Sequence, residues 1–149
     1  MTNEEYYLGR TVVILKGQIF KLKRQRYENV GVKLTVEEAI LLNMVNEKTN
    51  QICKKLAQVT GKNKSVVMRI VDSLEAKGLL IRRQNSKDRR ENILSLTTQG
   101  ENVLALCRQT ERHLTNDLLQ GASKDDIEAF FRVSDIIQSN SEKLLKNSK

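Results

Sequence analysis

The side chains best suited to covalent or metal chemistry in this chain are two cysteines and one histidine, and their spacing suits neither use. Cys53 and Cys107 lie far apart and in no C-x-x-C arrangement, so local spacing offers no zinc cluster and no redox pair. His113 has no Cys or carboxylate at metal-ligand spacing, which leaves it a packing or surface role. A Gly-rich phosphate loop and a nucleophile with a spaced base are both missing, so neither an enzyme nor a cofactor is expected. Cys107 falls on an apolar stripe and reads as core. Cys53 stands beside the cations Lys54 and Lys55 and is the one redox candidate.

What the sequence does offer is electrostatic. Residues 50–97 hold eleven Lys and Arg against four acids, Asp72, Glu75, Asp88 and Glu91, and so carry +7 of the net +8. The other 101 residues, with 15 basic and 14 acidic groups, are nearly neutral. The charge is therefore a patch, which suits a polyanion, although composition alone leaves a merely solvated face equally open. No Phe, Tyr or Trp lies within 50–97, which counts against single-stranded nucleic acid, whose binders stack bases on rings, and against a membrane surface.

The elements that must position this patch are mostly helical. Pro is absent, Gly numbers 7 and aromatic residues make up 4%, which removes the usual breakers and strand formers. No apolar run is long enough to span a bilayer, and the first five residues are polar and acidic, so a cytoplasmic protein without membrane contact is expected. From residue 4 to about 28, Leu8, Val12, Leu15, Ile19 and Leu22 step by 4, 3, 4 and 3 along one narrow helical stripe. Thr35 with Glu38 is a capping box for a second helix ending near Asn46. A third begins at Thr49 or Asn50, uses Ile52, Leu56 and Val59, and stops at Gly61. Asn63 caps a fourth, with Val67, Ile70, Val71 and Leu74 beneath it and Gly78 after it.

The period then changes. Leu79, Leu80 and Ile81, a polar turn at 84–88, and a second strand over about 91–96 predict a β-hairpin. Thr98 with Glu101 reads as a capping box for a fifth helix through Leu104, Cys107, Leu114 and Leu118, ending by Gly121. Ser123, followed by Asp125 and Asp126, opens a last helix whose stripe is Ile127, Phe130, Ser134, Ile137, Ser141 and Leu144. The fold class is mostly α, α+β by the small wing. A winged helix-turn-helix is expected at 34–97, flanked by helical arms at 1–30 and 98–149, with about six helices and a two- to three-stranded wing.

Leu56-Ala57, Gly61, the run Ser65 to Leu74, Gly78-Leu79, Asp88-x-Arg90 and Leu96-Thr97 together resemble the multiple-antibiotic-resistance regulator (MarR) family of winged-helix transcription factors. The resemblance implies a homodimeric regulator of double-stranded DNA, in the repressor mould, on a palindromic operator. The alternative is a winged-helix module for protein assembly or RNA. Val67, Ile70 and Leu74 would anchor the recognition helix, leaving Lys62, Asn63, Lys64, Ser65, Val66, Met68 and Arg69 for the major groove, with Arg69 reaching base or phosphate. Val66 and Met68 stand where the family commonly has hydroxyls, and either pack or touch thymine methyls. In the wing, Arg83, Lys87, Asp88, Arg89 and Arg90 are the expected DNA set. The resemblance assigns Arg90 to the minor groove and Asp88 to holding it there. Thr60 and Lys62 depart from the apolar residues usual around the turn Gly, so packing through Val59 is expected instead.

Two apolar seams remain, Leu8, Val12, Leu15 and Ile19 at one end and Ile127, Phe130, Ile137 and Leu144 at the other. They either pack on each other within one subunit or form a two-fold interface, and the resemblance favours the interface. It also implies release from DNA by a small anionic or phenolic effector, or by Cys oxidation. The family's redox cysteines sit in the first helix, however, where this chain has none.

Overall fold

The computed structural model describes residues 7–49, 51–88 and 92–148. Asn50 and the wing residues Arg89, Arg90 and Glu91 lie outside the described residues. Six helices and one hairpin follow in the order α1 (Leu8–Asn29), α2 (Val36–Asn46), α3 (Ile52–Thr60), α4 (Lys64–Ala76), β1 (Leu80–Gln84), β2 (Asn92–Leu96), α5 (Thr98–Leu118) and α6 (Lys124–Asn147). The chain forms two units, Met1–Leu114 and Thr115–Lys149.

In the first unit the core is built from nearly every element. Tyr27 of α1, Leu41 and Leu42 of α2, Leu56 of α3, Val67, Val71 and Leu74 of α4, Leu80 of β1 and Cys107 of α5 are all essentially without solvent contact. Burying one such Leu or Val contributes roughly 1.5–3 kcal/mol, so this shared cluster holds α3 and α4 to the rest of the unit. In the second unit no residue of α6 is buried.

Most local signals act as their chemistry predicts. The Thr35 hydroxyl accepts from the Glu38 amide at 3.1 Å and the Glu38 carboxylate accepts from the Thr35 amide at 2.8 Å, completing the capping box of α2. Asn63 accepts from the Val66 amide at 3.0 Å and starts α4. Gly61, at φ +68, closes α3 in the left-handed region that side chains with a Cβ avoid. Ser123 and Asp126 form a capping box at α6. The wing is a two-stranded antiparallel hairpin with Leu80 opposite Leu96, Arg82 opposite Leu94 and Gln84 opposite Asn92.

Three expectations change. The third helix starts at Ile52, after Gln51 in a left-handed conformation at φ 53, rather than at Thr49 or Asn50. The predicted capping box of Thr98 and Glu101 does not form, because Thr98 is already within α5. Thr97 takes the cap: its hydroxyl accepts from the Gly100 amide at 3.0 Å and donates to the Gly78 carbonyl at 2.7 Å, which stitches the start of α5 to the end of the recognition segment. Packing at the turn does not run through Val59, which is 57% exposed. Thr60 is buried there instead, because its hydroxyl donates to the Leu56 carbonyl at 2.7 Å and so needs no water.

Gly100 marks a contact that the sequence signals only as an isolated glycine within a helix. A Cβ there would stand 1.9 Å from the Leu79 carbonyl oxygen, a backbone atom that cannot swing aside. Gly100→Ala should therefore force α5 away from the base of the hairpin and cost about 2–3 kcal/mol, the scale of overpacking. A urea midpoint equal to that of the wild type would show the approach to be loose.

Candidate nucleic-acid interface

The fourth helix presents two faces because its apolar residues recur at helical spacing. Val67, Val71 and Leu74 point into the core, Ile70 is half-buried, and Lys64, Ser65 and Arg69 are exposed on the other side. Val66 and Met68 are half-buried at the margin, while Lys62 and Asn63 at the helix entry are exposed. Lys54 and Lys55 of α3, and Arg83 and Lys87 of the wing, are exposed as well. Asp88 is exposed; Arg89 and Arg90 lie outside the described residues.

The basic residues of 50–97 divide by partner. Lys77 donates to both carboxylate oxygens of Glu38 at 2.8 Å, and to the Lys33 carbonyl at 3.1 Å. Arg82 donates to Glu75 from Nε at 2.9 Å and from a terminal nitrogen at 2.7 Å, and also to Asp72. Two cations of the patch thus do structural work. Lys54, Lys55, Lys62, Lys64, Arg69, Arg83 and Lys87 form no ion pair with any of the described residues, and their charge faces water. Sequence reasoning counted Lys77 and Arg82 with the rest. The signal that could have separated them is the acid at a matching distance, Glu75 and Asp72 on the helix before Arg82.

Glu38 is the most buried acid among the described residues, at 3% exposure. Burial is the largest single influence on its carboxyl and pushes its pKa up. The bonds from Lys77, Ser73 and Thr35 together outweigh it and hold the group below its ordinary value. The Ser73 hydroxyl donates to it at 2.6 Å, so α2 grips α4 at Ser73 and, just past its C-terminal end, at Lys77. A second polar cluster missed in the sequence joins α1 to α5. The Tyr27 hydroxyl donates to Glu111, and Lys23 pairs with the same carboxylate at 3.1 Å. Burial, reinforced by Glu111, pushes the Cys107 thiol up to about 11, so it stays protonated and inert at neutral pH, as a core cysteine should. Cys53 is half-buried and unbonded to sulfur, and His113 is exposed.

Two concavities lie within the first unit. The larger, about 640 Å³, is lined by Phe20 and Arg24 of α1, Lys33, Thr35, Glu37 and Lys77 among others. The smaller, about 190 Å³, lies among α1, α2 and α5 beside Lys23, Asn43, Arg108 and Glu111. No group of three or more potential metal ligands occurs among the described residues, and no described helix is long and apolar enough to cross a membrane.

Helix, left-handed glycine turn, helix and hairpin in this order, on a common core, define a winged helix-turn-helix. Residues 31–91 match the MarR family. The whole chain is similar to the transcriptional regulator BldR of Sulfolobus solfataricus, with 27% identity and a TM-score of 0.81 over 94% of this chain and 99% of that one. It has the fold of a mutant MarR of E. coli complexed with operator DNA, at 20% identity and a TM-score of 0.76 over 91% of this chain and 96% of that one. It shares the fold, too, of Bordetella bronchiseptica BpsR, whose DNA binding is regulated by 6-hydroxynicotinic acid, at 16% identity and a TM-score of 0.74 over 88% and 92%. The MarR-family match is thus carried by the helix-turn-helix and the hairpin, within residues 31–91.

Proposed function

We propose that this chain is a binding protein rather than an enzyme: a sequence-specific regulator of transcription that grips double-stranded DNA as a homodimer and represses from a palindromic operator. The observation that carries the reading is the division of charge. The exposed face of α4 and its surroundings keep seven cations unpaired within the described chain, while the acids Glu38, Asp72 and Glu75 are bonded to Lys77 and Arg82. An α-helix of this kind fits the major groove, where Arg69 can take two guanine acceptors and Lys62, Asn63, Lys64 and Ser65 can reach phosphates at the helix entry. Val66 and Met68, half-buried at the margin of this face, would meet thymine methyls. Arg83, Lys87 and Arg89 follow the backbone, and Arg90, oriented by Asp88, enters the minor groove.

The test is selection of duplexes from a random pool by the purified protein, followed by sequencing. Two inverted half-sites about 10 base pairs apart are expected; a pool with no enriched sequence contradicts operator recognition and favours the assembly or RNA reading. With the selected duplex in hand, Arg69→Ala and Arg90→Ala should each weaken binding at least about tenfold, equivalent to roughly 1.4 kcal/mol, with the dimer intact. Equal affinity in fluorescence anisotropy removes that residue from the interface.

Dimerisation rests on uncovered apolar surface. In α1, Leu8, Val12 and Leu15 are 51%, 53% and 42% exposed, with Ile19 half-buried. In α6, Phe130, Ile137 and Leu144 are exposed and Ile127 is half-buried. These are the two arms that would close the two-fold interface, 1–30 and 98–149 flanking the DNA-binding lobe 34–97. The larger concavity is the candidate berth for a small anionic or phenolic effector, where Phe20 supplies a ring and Arg24 and Lys33 supply positive charge beside the carboxylates Glu28 and Glu37. Cys53 is the remaining redox candidate, and release by peroxide from the wild type but not from Cys53→Ser would support that route. With this function the protein works in the cytoplasm.

A further inference from the structure

The hairpin leaves one question that its sequence does not answer: what holds it at a fixed angle to α4. A two-stranded hairpin is marginal by itself, and this one is tied down at its base. There Thr97 donates from its amide to the Leu79 carbonyl at 3.1 Å and from its hydroxyl to the Gly78 carbonyl at 2.7 Å. The one further ion-pair tie to α4 among the described residues is Arg82, at the middle of β1 opposite Leu94. Strand alternation puts Arg82 on the same side as buried Leu80, towards α4, while Arg83 on the other side is exposed. Its guanidinium meets Asp72 and Glu75, one helical turn apart on α4, through a planar fork that a lysine could not reproduce.

We propose that Arg82 is the positioning residue of the wing, a clamp that fixes the angle between hairpin and recognition helix and so sets specificity without touching DNA. The inference rests on the duplex-binding reading above. Leverage explains why one clamp matters. From Leu80 to Gln84 the strand spans four steps, or roughly 13 Å at about 3.3 Å per residue. A 10° swing about the base then moves even the end of the strand by about 2 Å, a third of the roughly 6 Å width of a minor groove, and the loop beyond it by more. Base reading by both elements at once requires that swing to be suppressed, whereas phosphate attraction alone does not.

The opposing electrostatics give a decisive experiment. Asp72→Asn with Glu75→Gln makes the protein two charges more positive beside its DNA-binding helix, which by charge alone tightens every duplex. The clamp predicts the reverse for the selected sequence. The double variant should bind the selected duplex at least about fivefold more weakly while binding a scrambled duplex of equal length as well as the wild type or better. Arg82→Gln should narrow the same ratio. The charge-swapped pair Arg82→Glu with Glu75→Arg should recover part of it. Asp72 and Glu75 are 58% and 40% exposed, so their variants keep the core, and thermal melting checks that they do. A double variant that binds the selected duplex as tightly as the wild type, or more tightly, overturns the clamp and leaves the duplex-binding reading standing. A wild type that does not distinguish the two duplexes defeats both.

Discussion

Replacing Phe130 and Ile137 together by Asp should leave a folded monomer of about 17 kDa whose hold on the selected duplex is weakened at least about 100-fold. These side chains are 59% and 37% exposed in the described chain, so the substitutions spare the core that supports α3 and α4. At 100° per residue the apolar residues of α6 that include Ile127, Phe130, Phe131, Val133, Ile136, Ile137 and Leu144 sweep an arc of roughly 220°, about twice the stripe of an ordinary surface helix. A surface that broad is sequestered only by covering α6 on more than one side. Two carboxylates inserted there face the partner without a counter-charge and reverse the association. The affinity loss follows because a dimer engages its second half-site at high effective concentration, an advantage of roughly 10²–10⁴ that a monomer forfeits. Sedimentation and anisotropy on one preparation decide it; a variant that remains dimeric, or a monomer that binds undiminished, contradicts the two-fold design.

Glu38→Ala should destabilise the protein by about 3 kcal/mol, lowering the melting temperature by about 10 °C. Two contributions combine, and the N-cap of α2 is not one of them, because the Thr35 hydroxyl still accepts from the backbone amide of residue 38. The Ser73 hydroxyl and the Thr35 amide lose a charged acceptor, and hydrogen bonds to charged groups are worth about 1.5–3 kcal/mol. Lys77 loses its counter-ion, but its side chain is 37% exposed, so water recovers much of that cost. The pH dependence carries a definite sign. Because the folded-state pKa is held below the ordinary 4.5, the contribution is complete at neutral pH and disappears as pH falls through the folded value. Urea unfolding followed from pH 7 down into acid should therefore show a wide gap between wild type and variant that narrows as the pH falls. A gap below about 1 kcal/mol at pH 7, or one that persists in acid, would mean that the buried carboxylate is not the tie between α2 and α4.

Features encoded within a few residues are legible in the chain itself. Thr35 and Glu38, Gly61, Asn63 and Ser123 define their helix ends through bonds spanning three or four residues, and each acts as its local chemistry dictates. The hairpin is legible for the same reason, since the change of period after Gly78 is local. What the sequence conceals depends on partners far along the chain. Lys77 meets Glu38 across 39 residues and Tyr27 meets Glu111 across 84, so neither pair leaves a periodic trace. Thr97 and Thr98 are chemically equivalent candidates for one cap, and only the Gly78 carbonyl, delivered by the fold, selects between them. Thr60 likewise replaces Val59 at the turn because a hydroxyl can satisfy itself on the carbonyl one turn back. Among the candidate contacts, the exposed Arg69 face is legible as the complement of Val67, Val71 and Leu74. The withdrawal of Lys77 and Arg82 into ion pairs is not.

The most direct measurement is the affinity of the purified wild-type protein for a double-stranded oligonucleotide across 50–200 mM salt, beside a single strand of the same sequence. Seven exposed cations per subunit, without ion pairs among the described residues, predict that a dimer neutralising about six or more phosphates loses about 10³-fold in duplex affinity over that range, with a log–log slope of roughly −5 or steeper. The single strand should bind far more weakly throughout. A protein that ignores the duplex at the lowest salt, or holds it with an affinity indifferent to salt, would show that the positive face around α4 serves something other than DNA.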